Sequence, residues 1–599
     1  MHYFFQDLTG VAAATVLALV LIVAPGFGLA RLMIRARLIG EDRGTGTCWG
    51  LILGPTLLPA VDALLVRWSG FPGALLLHAA LAAYGAGATF EMVRRAPLPW
   101  WAVIAAGWLV VIWANVDFDW HGRLYQTVMV NDTVKHAAVI GALAHYGVPL
   151  HDPFVARPGV AGYYYYFYLG PALLHWLGGA LIASRAAFAA GSFVTMLAFP
   201  ALLILLADSA RLIAQGARRR FLALTVLLCC VSGFDLPAGI WIWIRTGKVM
   251  AQLDWWSEEV RWALTSFLWV PHHLTAVMAV FTGCLILTSG GRTALVPRAA
   301  LAGVAFASAF GCSLWIALAA APILGLWWLY ERIRTGAASM RALPLSGLIA
   351  LLLSAPQIGD IAAGRTMTGP PLSLYMRPLG PVRVLPHGLV EWIVQLAVTP
   401  GGFAIEFGVF AVGSIIFFRR EGLATAAATP IGRLLLVSAP VALVMVTFLR
   451  SAILYNDFGW RSVWFAQLPA MVWTAAAMCA RREAVTHSPI WSAALALGLA
   501  ATLWDLTGMR LISPRYFFDF INAHPDVDYD LRGAYAWAAR ALPANLVLQH
   551  NPAQATRALD FGLYSDRPVA VSDVEARLFG ARRVPAKGRV RNGRRALTT

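Results

Sequence analysis

Long apolar stretches, parted by short polar breaks, recur from one end of the chain to the other. Runs of about 17–25 apolar residues are long enough to cross a bilayer as helices. The pattern predicts spans at 11–33, 47–66, 71–91, 99–116, 187–206, 221–243, 268–289, 299–313, 314–330, 343–359, 401–418, 430–449, 462–480 and 490–508. The fold class expected is an all-α polytopic membrane protein of about 14 transmembrane helices. The first run precedes many others, so it is read as a span and not as a cleaved leader.

Two further stretches, 136–150 and 163–184, are apolar enough to complicate this map. They are read either as a pair of short spans or as helices along, or dipping into, one face. Lys135, His136 and His145 speak against a lone span facing lipid.

The polar breaks fall into two kinds. Short breaks carry the arginines: Arg35, Arg37 and Arg43; Arg94 and Arg95; Arg218 to Arg220; Arg292 and Arg298; Arg332, Arg334 and Arg341; Arg419 and Arg420; Arg481 and Arg482. With the spans above they share one side, which the positive-inside rule makes the cytoplasm, with both termini outside. Long breaks lie on the opposite side, at 117–186, 244–266 and 360–400, with a short one at 456–461. Long structured loops on a helical scaffold are where working groups are expected.

Composition sharpens this picture. The chain is 59% hydrophobic and only 13% charged, with a net charge of +17 carried mostly by arginine. In a membrane protein such an excess sits in cytoplasmic loops, so it gives no reason to expect nucleic acid as a partner. The six cysteines lie in or beside apolar runs without a CxxC pair and are read as small core residues. After Leu506 the sequence turns mixed. The division expected is 1–95 for N-terminal transmembrane helices, 96–509 for the main membrane module, 510–579 for a small α/β extracytoplasmic appendage, and 580–599 for a basic disordered tail. In the appendage, Tyr529–Leu542 has helical spacing, and 545–549 and 568–572 resemble strands.

The chemistry-bearing residues concentrate on the loop side. Asp117 and Asp119 stand two apart where a span ends. A glycosyl transfer at a membrane surface needs a carboxylate to take a proton from the acceptor hydroxyl, and a second can hold a divalent cation, Mg or Mn, against a leaving phosphate. The same pair also fits a polar helix end. Asp132, Lys135 and His136 share one helical face as a candidate phosphate-binding set, or as an ordinary ion pair. Asp152, before a proline, reads as a turn residue. His272 and His273 open a span. As neighbours they do not point the same way, so one of them is expected at the site, and interface histidines are the alternative. Arg461 offers a planar fork for phosphate, or a loop salt bridge to Asp457. Arg365, Arg377 and Arg383 are further phosphate candidates. Tyr163 to Tyr168 reads first as an interface belt and second as an acceptor-lining wall.

Asp117-Phe118-Asp119, the 120–150 helices, Gly162–Leu169, Trp269-Val270-Pro271-His272-His273, Asn456–Arg461 and the stretch from Tyr535 to Leu548 together resemble the GT-C class of integral-membrane glycosyltransferases. That resemblance implies a polyprenyl-phosphate sugar donor, a glycan, lipid or protein acceptor in the cell envelope, and a multi-pass enzyme of the bacterial plasma (inner) membrane whose site faces outside. It implies Asp117 or Asp119 as base or metal ligand. The chain departs from the class pattern in having Asp-Phe-Asp for an Asp-Glu pair and three spans ahead of the module. Two other functions fit the hydropathy: a transporter or flippase of lipid-linked substrates, and a non-catalytic envelope assembly protein. The scarcity of ionisable residues deep in spans (Asp62, His78, His175, Glu406 and Asp505 are the main ones) disfavours a proton-coupled carrier.

Overall fold

The computed structural model describes residues 2–40, 43–95, 98–125, 130–156, 158–247, 253, 256–289, 295–334, 338–364, 370–386, 388–451, 456–480, 489–508, 525–543, 546–549 and 561–570. Eleven of the described helices are long and apolar enough to cross a membrane, or twelve if the bent pair Leu389–Phe407 and Val409–Ala426 counts as one span. The chain is a polytopic all-α integral membrane protein, as its hydropathy predicts.

One of those helices is a hairpin. In a straight helix the 16 positions from Asp62 to His78 span about 24 Å. Yet His78 Nε2 lies 2.7 Å from Asp62 Oδ1. The chain reverses midway, at Gly70, whose φ of 66° suits a residue without a Cβ. The expected spans 47–66 and 71–91 are therefore the two arms of Arg43–Arg95. The buried Asp62–His78 pair and the bond from the His78 ring to the Leu21 carbonyl let two ionisable groups sit inside the bundle with their polar atoms satisfied.

Three helices form the centre. In Ser184–Ser209 the whole apolar window is buried, in Pro271–Thr288 94% of it, and in Asp457–Ala480 89%, against 28% for the peripheral Leu98–Asn115. A helix apolar on every side belongs inside a bundle or against lipid, and these three are enclosed by protein. All three run in the same sense. Arg185, His272 and Arg461 lie at their starts. At their far ends Arg218 pairs with Asp208, Arg298 with the Ser289 carbonyl, and Arg220 with the Met478 carbonyl. The short connections with Arg218, Arg220 and Arg298 thus lie at one end of the bundle and the long loops at the other.

Several expected elements differ. The predicted span 221–243 is two shorter helices, Arg218–Cys229 and Leu236–Thr246. Pro237 starts the second, and Asp235 between them accepts a hydrogen bond from Trp256 Nε1. Neither 136–150 nor 163–184 falls in one of the described helices long and apolar enough to cross a membrane. The first belongs to helix Val130–Tyr146; the second contains Tyr166–Gly178, whose 13 residues cover about 20 Å, short of a bilayer core of about 30 Å. Span 401–418 is broken by a 100° bend between Leu389–Phe407 and Val409–Ala426. The third long loop is shortened from both sides, by Ala342–Gly364 and by Leu389–Phe407.

β structure among the described residues is limited to two small antiparallel pairs and a few bridges. Phe118–Trp120 pairs with Arg123–Tyr125 across His121 and Gly122, both at positive φ, the two-residue turn that matches strand twist. Leu372–Leu374 pairs with Leu449–Ser451. The C-terminal part contains helix Pro525–Ala541, close to expectation. Of the expected strands 545–549 and 568–572, residues 545, 571 and 572 lie outside the described residues; among the described ones Val569 bridges both Leu548 and Val155. This part therefore lies against the 117–186 stretch. The tail 580–599 is outside the described residues.

Candidate functional site

Helix Val130–Tyr146 brings Asp132, Lys135 and His136 to one face, and that face meets the starts of two central helices. Lys135 Nζ donates to Asp132 Oδ1 at 2.8 Å, and Trp269 Nε1 donates to the other carboxylate oxygen. Burial alone would raise the Asp132 pKa; the Lys135 charge and these donors outweigh it and hold the carboxyl well below its usual range. Burial alone would lower Lys135; the Asp132 charge reverses this and holds the ammonium well above its usual range. The pair is fully ionised at any ordinary pH.

His136 behaves differently. Its ring stacks on Phe188, with centroids 4.6 Å apart, and on Tyr168 at 5.6 Å. Nε2 lies 2.9 Å from the Trp269 carbonyl, an obligate acceptor, so that nitrogen carries the proton; Nδ1 then accepts from the Tyr168 hydroxyl at 2.8 Å. Burial and the Lys135 charge push its pKa down to about 3. These two bonds fit a neutral ring, where the sequence suggests a phosphate-binding cation.

Trp269 connects this helix to the rest of the site. Arg461 lies over its ring at 4.9 Å and Arg261 at 5.5 Å. Arg461 Nη1 donates to Glu259 Oε1 at 2.7 Å, while Asp457 stands 4.0 Å from Arg461 Nε. The expected Asp457–Arg461 bridge is therefore the weaker contact. Arg261 pairs with Asp505 at 3.2 Å. Next to Lys135, His272 faces His136 at 5.2 Å between centroids and Tyr164 at 5.6 Å. His272 Nδ1 is 3.5 Å from the Tyr168 hydroxyl, and its buried Nε2 has no hydrogen-bond partner among the described residues. His273 Nδ1 lies 2.7 Å from Ser313 Oγ, and its ring also meets Tyr164 at 5.8 Å and His272 at 4.0 Å between centroids. Thus Asp132, Lys135, His136, His272 and Arg461 meet in one polar cluster where the central helices begin.

The Tyr163–Tyr168 run is not an interface belt. All six residues are buried, from 0% to 8% exposed. Tyr163 and Tyr164 stack on each other at 4.2 Å and Tyr164 on His272, forming an aromatic wall of the cluster. Tyr165 donates to Asp360 at 2.8 Å, and Asp360 also takes Arg67. Gly364 passes so close to the start of this run that a Cβ there would lie 2.3 Å from the Gly162 nitrogen.

Asp117 and Asp119 belong to another centre. Asp117 is fully buried. It pairs with Arg185 Nη1 at 2.5 Å and accepts from Arg532 Nη1 at 2.8 Å and from the Tyr564 hydroxyl at 2.6 Å. Asp7 joins the same arginines and accepts from the Asp117 backbone N–H. Asp119 is half-buried in its strand, opposite Leu124. The two centres are adjacent: Arg185 holds Asp117, and Phe188, on the next turn of the same helix, holds His136. Among the described residues no group of three His, Cys, Asp or Glu is placed to hold a metal ion. Asp117 already meets two guanidinium groups and a phenol, which does not suit it as an Mg or Mn ligand. Arg377 is buried against Glu258 and Phe403, away from solvent. Arg383 lies in the short turn Gly380–Val384, and Arg365 is outside the described residues.

The residues that sequence reasoning missed are the long-range partners: Asp7, Glu259, Arg185, Arg532 and Tyr564. Asp152 is the turn residue expected, accepting from the Phe154 and Val155 backbone N–H groups.

No protein-family model matches the chain, and no curated protein does. Among solved structures, the chain is similar to the oligosaccharyltransferase of Archaeoglobus fulgidus in its apo form, with 11% identity and a TM-score of 0.40, covering 80% of this chain and 65% of that one. It is also similar to that enzyme tethered with an acceptor peptide, with 12% identity, a TM-score of 0.39 and 79% and 64% coverage. A third structure, in complex with an inhibitory peptide and a dolichol-phosphate, gives the same values. The chain therefore spans slightly less than two-thirds of the length of these neighbours.

Proposed function

We propose that the chain is a membrane glycosyltransferase that moves a sugar from a polyprenyl-phosphate donor to a hydroxyl of an envelope glycan, lipid or protein, on the extracytoplasmic face of the plasma membrane. The observation that carries this reading is the convergence of Asp132, Lys135, Trp269, His272 and Arg461 behind a tyrosine wall, at the loop end of an otherwise apolar bundle. Sugar recognition calls for aromatic faces with polar groups between them, and a phosphate calls for fixed cations. Lys135 and Arg461 supply such cations, each held by a carboxylate partner. A buried nitrogen without a partner, His272 Nε2, costs about 1–3 kcal/mol, which a ligand hydroxyl reaching it would offset. The arginine-bearing short loops at the opposite end of the bundle, cytoplasmic under the positive-inside rule, support an outward-facing cluster. Asp119 lies at the edge of the neighbouring centre and is the member of the Asp117/Asp119 pair with solvent access.

The test is reconstitution in nanodiscs with a polyprenyl-phosphate-linked, radiolabelled hexose and glycans extracted from the envelope. Label is expected to pass to a glycan, with polyprenyl phosphate released. Movement of intact donor across proteoliposomes without any new glycosidic bond would instead establish a carrier.

A further inference from the structure

The close ion pairs around the aromatic wall leave one carboxylate with only a long contact to a cation. Asp132 has Lys135 at 2.8 Å, Glu259 has Arg461 at 2.7 Å, and Asp505 has Arg261 at 3.2 Å. Each cation at the cluster thus has a carboxylate of its own. Asp457 is the fourth carboxylate, and the nearest cation atom to it, Arg461 Nε at 4.0 Å, belongs to a guanidinium already directed at Glu259. Among the described residues no side chain or backbone N–H donates a hydrogen bond to the Asp457 carboxylate. Its side chain is 23% exposed, the most open of the cluster's acids apart from Asp132 at 27%, which is engaged on both oxygens.

Placement strengthens the case. Asp457 begins the turn Asp457–Arg461, whose cap is made by the neighbouring residue: Asn456 Oδ1 accepts from the Gly459 N–H and its amide donates to Glu258 and to the Tyr375 hydroxyl. Asn456 therefore anchors the turn, and Asp457 is not needed to hold it. Asp457 lies within electrostatic reach of Lys135, Tyr163 and Tyr164. A carboxylate that caps nothing and keeps only the long contact to Arg461, set beside two cations and an aromatic wall, is poorly compensated for its burial unless it is used.

We propose that Asp457, in place of Asp117 or Asp119, is the general base of the transfer, a role that rests on the glycosyltransferase reading above. The acceptor hydroxyl gives its proton to the Asp457 carboxylate as its oxygen bonds to the anomeric carbon. The bond from that carbon to the phosphate oxygen breaks, and polyprenyl phosphate leaves with the electron pair. Arg461 and Lys135 face the charge that develops on the phosphate. Asp117 is unsuited to the proton step because its carboxylate is occupied by Arg185, Arg532 and Tyr564.

The experiment compares Asp457→Asn with the wild-type chain in nanodiscs carrying a polyprenyl-phosphate-linked hexose, with two acceptors: an envelope glycan extract and sodium azide. Azide has no proton to lose, so it does not need a base. Asp457→Asn is expected to lose about 10²- to 10⁴-fold in transfer to hydroxyls, to bind donor as wild type does, and to form glycosyl azide at a rate near that of wild type. Transfer to hydroxyls within threefold of wild type overturns the assignment. So does an equal loss with both acceptors, which is what a structural role produces, and so does an azide-rescued loss confined to Asp119→Asn. A wild-type chain that releases no polyprenyl phosphate with either acceptor overturns the glycosyltransferase reading itself.

Discussion

Arg532 Nη1 donates to Asp117 Oδ2 at 2.8 Å, joining residues 415 positions apart. The same guanidinium meets Asp7, and Asp7 also meets Arg185. The first helix, the start of the first long loop, a central helix and the C-terminal part are thereby tied at one buried point. Removing one partner of a buried ion pair leaves a desolvated charge behind, typically at a cost of about 3–5 kcal/mol. Arg532→Ala is expected to lower the unfolding temperature and to open 525–570 to protease. The double variant Arg532→Ala with Asp117→Asn should cost less than the sum of the singles. Thermal scanning and limited proteolysis in detergent check both; additivity would mean that the two residues do not share a network.

A second tie between the C-terminal part and the bundle responds to pH. Asp566 accepts from Ser184 Oγ at 2.6 Å, and His175 Nε2 lies 3.2 Å from its other oxygen. Burial alone would lower His175, but the hydrogen bond and charge of Asp566 outweigh it and raise its pKa above the ordinary 6.5. Its surroundings alone would raise Asp566, whose side chain is 45% exposed, and the hydrogen bond and charge of His175 outweigh this and lower it. A raised histidine contributes fully below its unfolded pKa and loses that contribution as pH climbs through the folded value. A lowered carboxylate contributes above its unfolded value of 3.8 and loses its share as pH falls through the folded one. The tie is therefore strongest between those limits, from about pH 4 to 6.5, and loosens above neutrality. Hydrogen exchange at 561–570, corrected for its intrinsic pH dependence, should show protection falling between pH 6 and 9, and His175→Gln should abolish that slope.

Much of the bundle was legible because hydrophobic periodicity is a local property. The span 187–206 falls inside Ser184–Ser209 and 430–449 matches Pro430–Phe448 to one residue, and the i, i+3, i+4 spacing of Asp132, Lys135 and His136 did put them on one face. What failed depended on packing. A run of tyrosines has the same composition whether it faces lipid headgroups or a polar cluster, and only the approach of Gly364 and His272 makes it a buried wall. Asp7 and Arg532, two of the partners of Asp117, lie 110 and 415 positions away, and no window of sequence contains them. The surroundings of His136 are equally non-local: stacking between Phe188 and Tyr168 keeps from its ring the water that an imidazolium needs.

The approach of Gly364 to the tyrosine wall is tight enough to test. An added Cβ would meet three backbone atoms, at 2.3, 2.6 and 2.7 Å, all in Ala161 and Gly162. Backbone cannot rotate aside as a side chain can, so Gly364→Ala must displace the chain leading into Tyr163. Overpacking of this kind costs about 1–3 kcal/mol. Gly359→Ala, one turn earlier and with nothing within 4 Å of the added atom, is the matched control. The first variant should lower thermal stability and disturb donor transfer, and the second should change neither; equal behaviour would mean that the wall has slack.

Trp269 gives the sharpest separation of charge from shape in the site. Its indole N–H donates to Asp132, and its ring lies under both Arg461 and Arg261. Trp269→Phe keeps an aromatic face for the arginines and removes only the donor. A hydrogen bond to a charged group contributes about 1.5–3 kcal/mol, so Lys135, as the remaining partner of Asp132, is pulled more firmly into that pair and away from a phosphate. If Lys135 serves the leaving group, kcat/KM for the polyprenyl-phosphate donor should fall about 10- to 100-fold, while transfer per bound donor keeps its pH dependence. Trp269→Leu, which also removes the face, should cost more and weaken donor binding further through Arg461. Kinetics of both variants against a donor titration decide it: equal losses would assign the whole effect to the ring, and no loss in Trp269→Phe would detach Asp132 and Lys135 from the reaction.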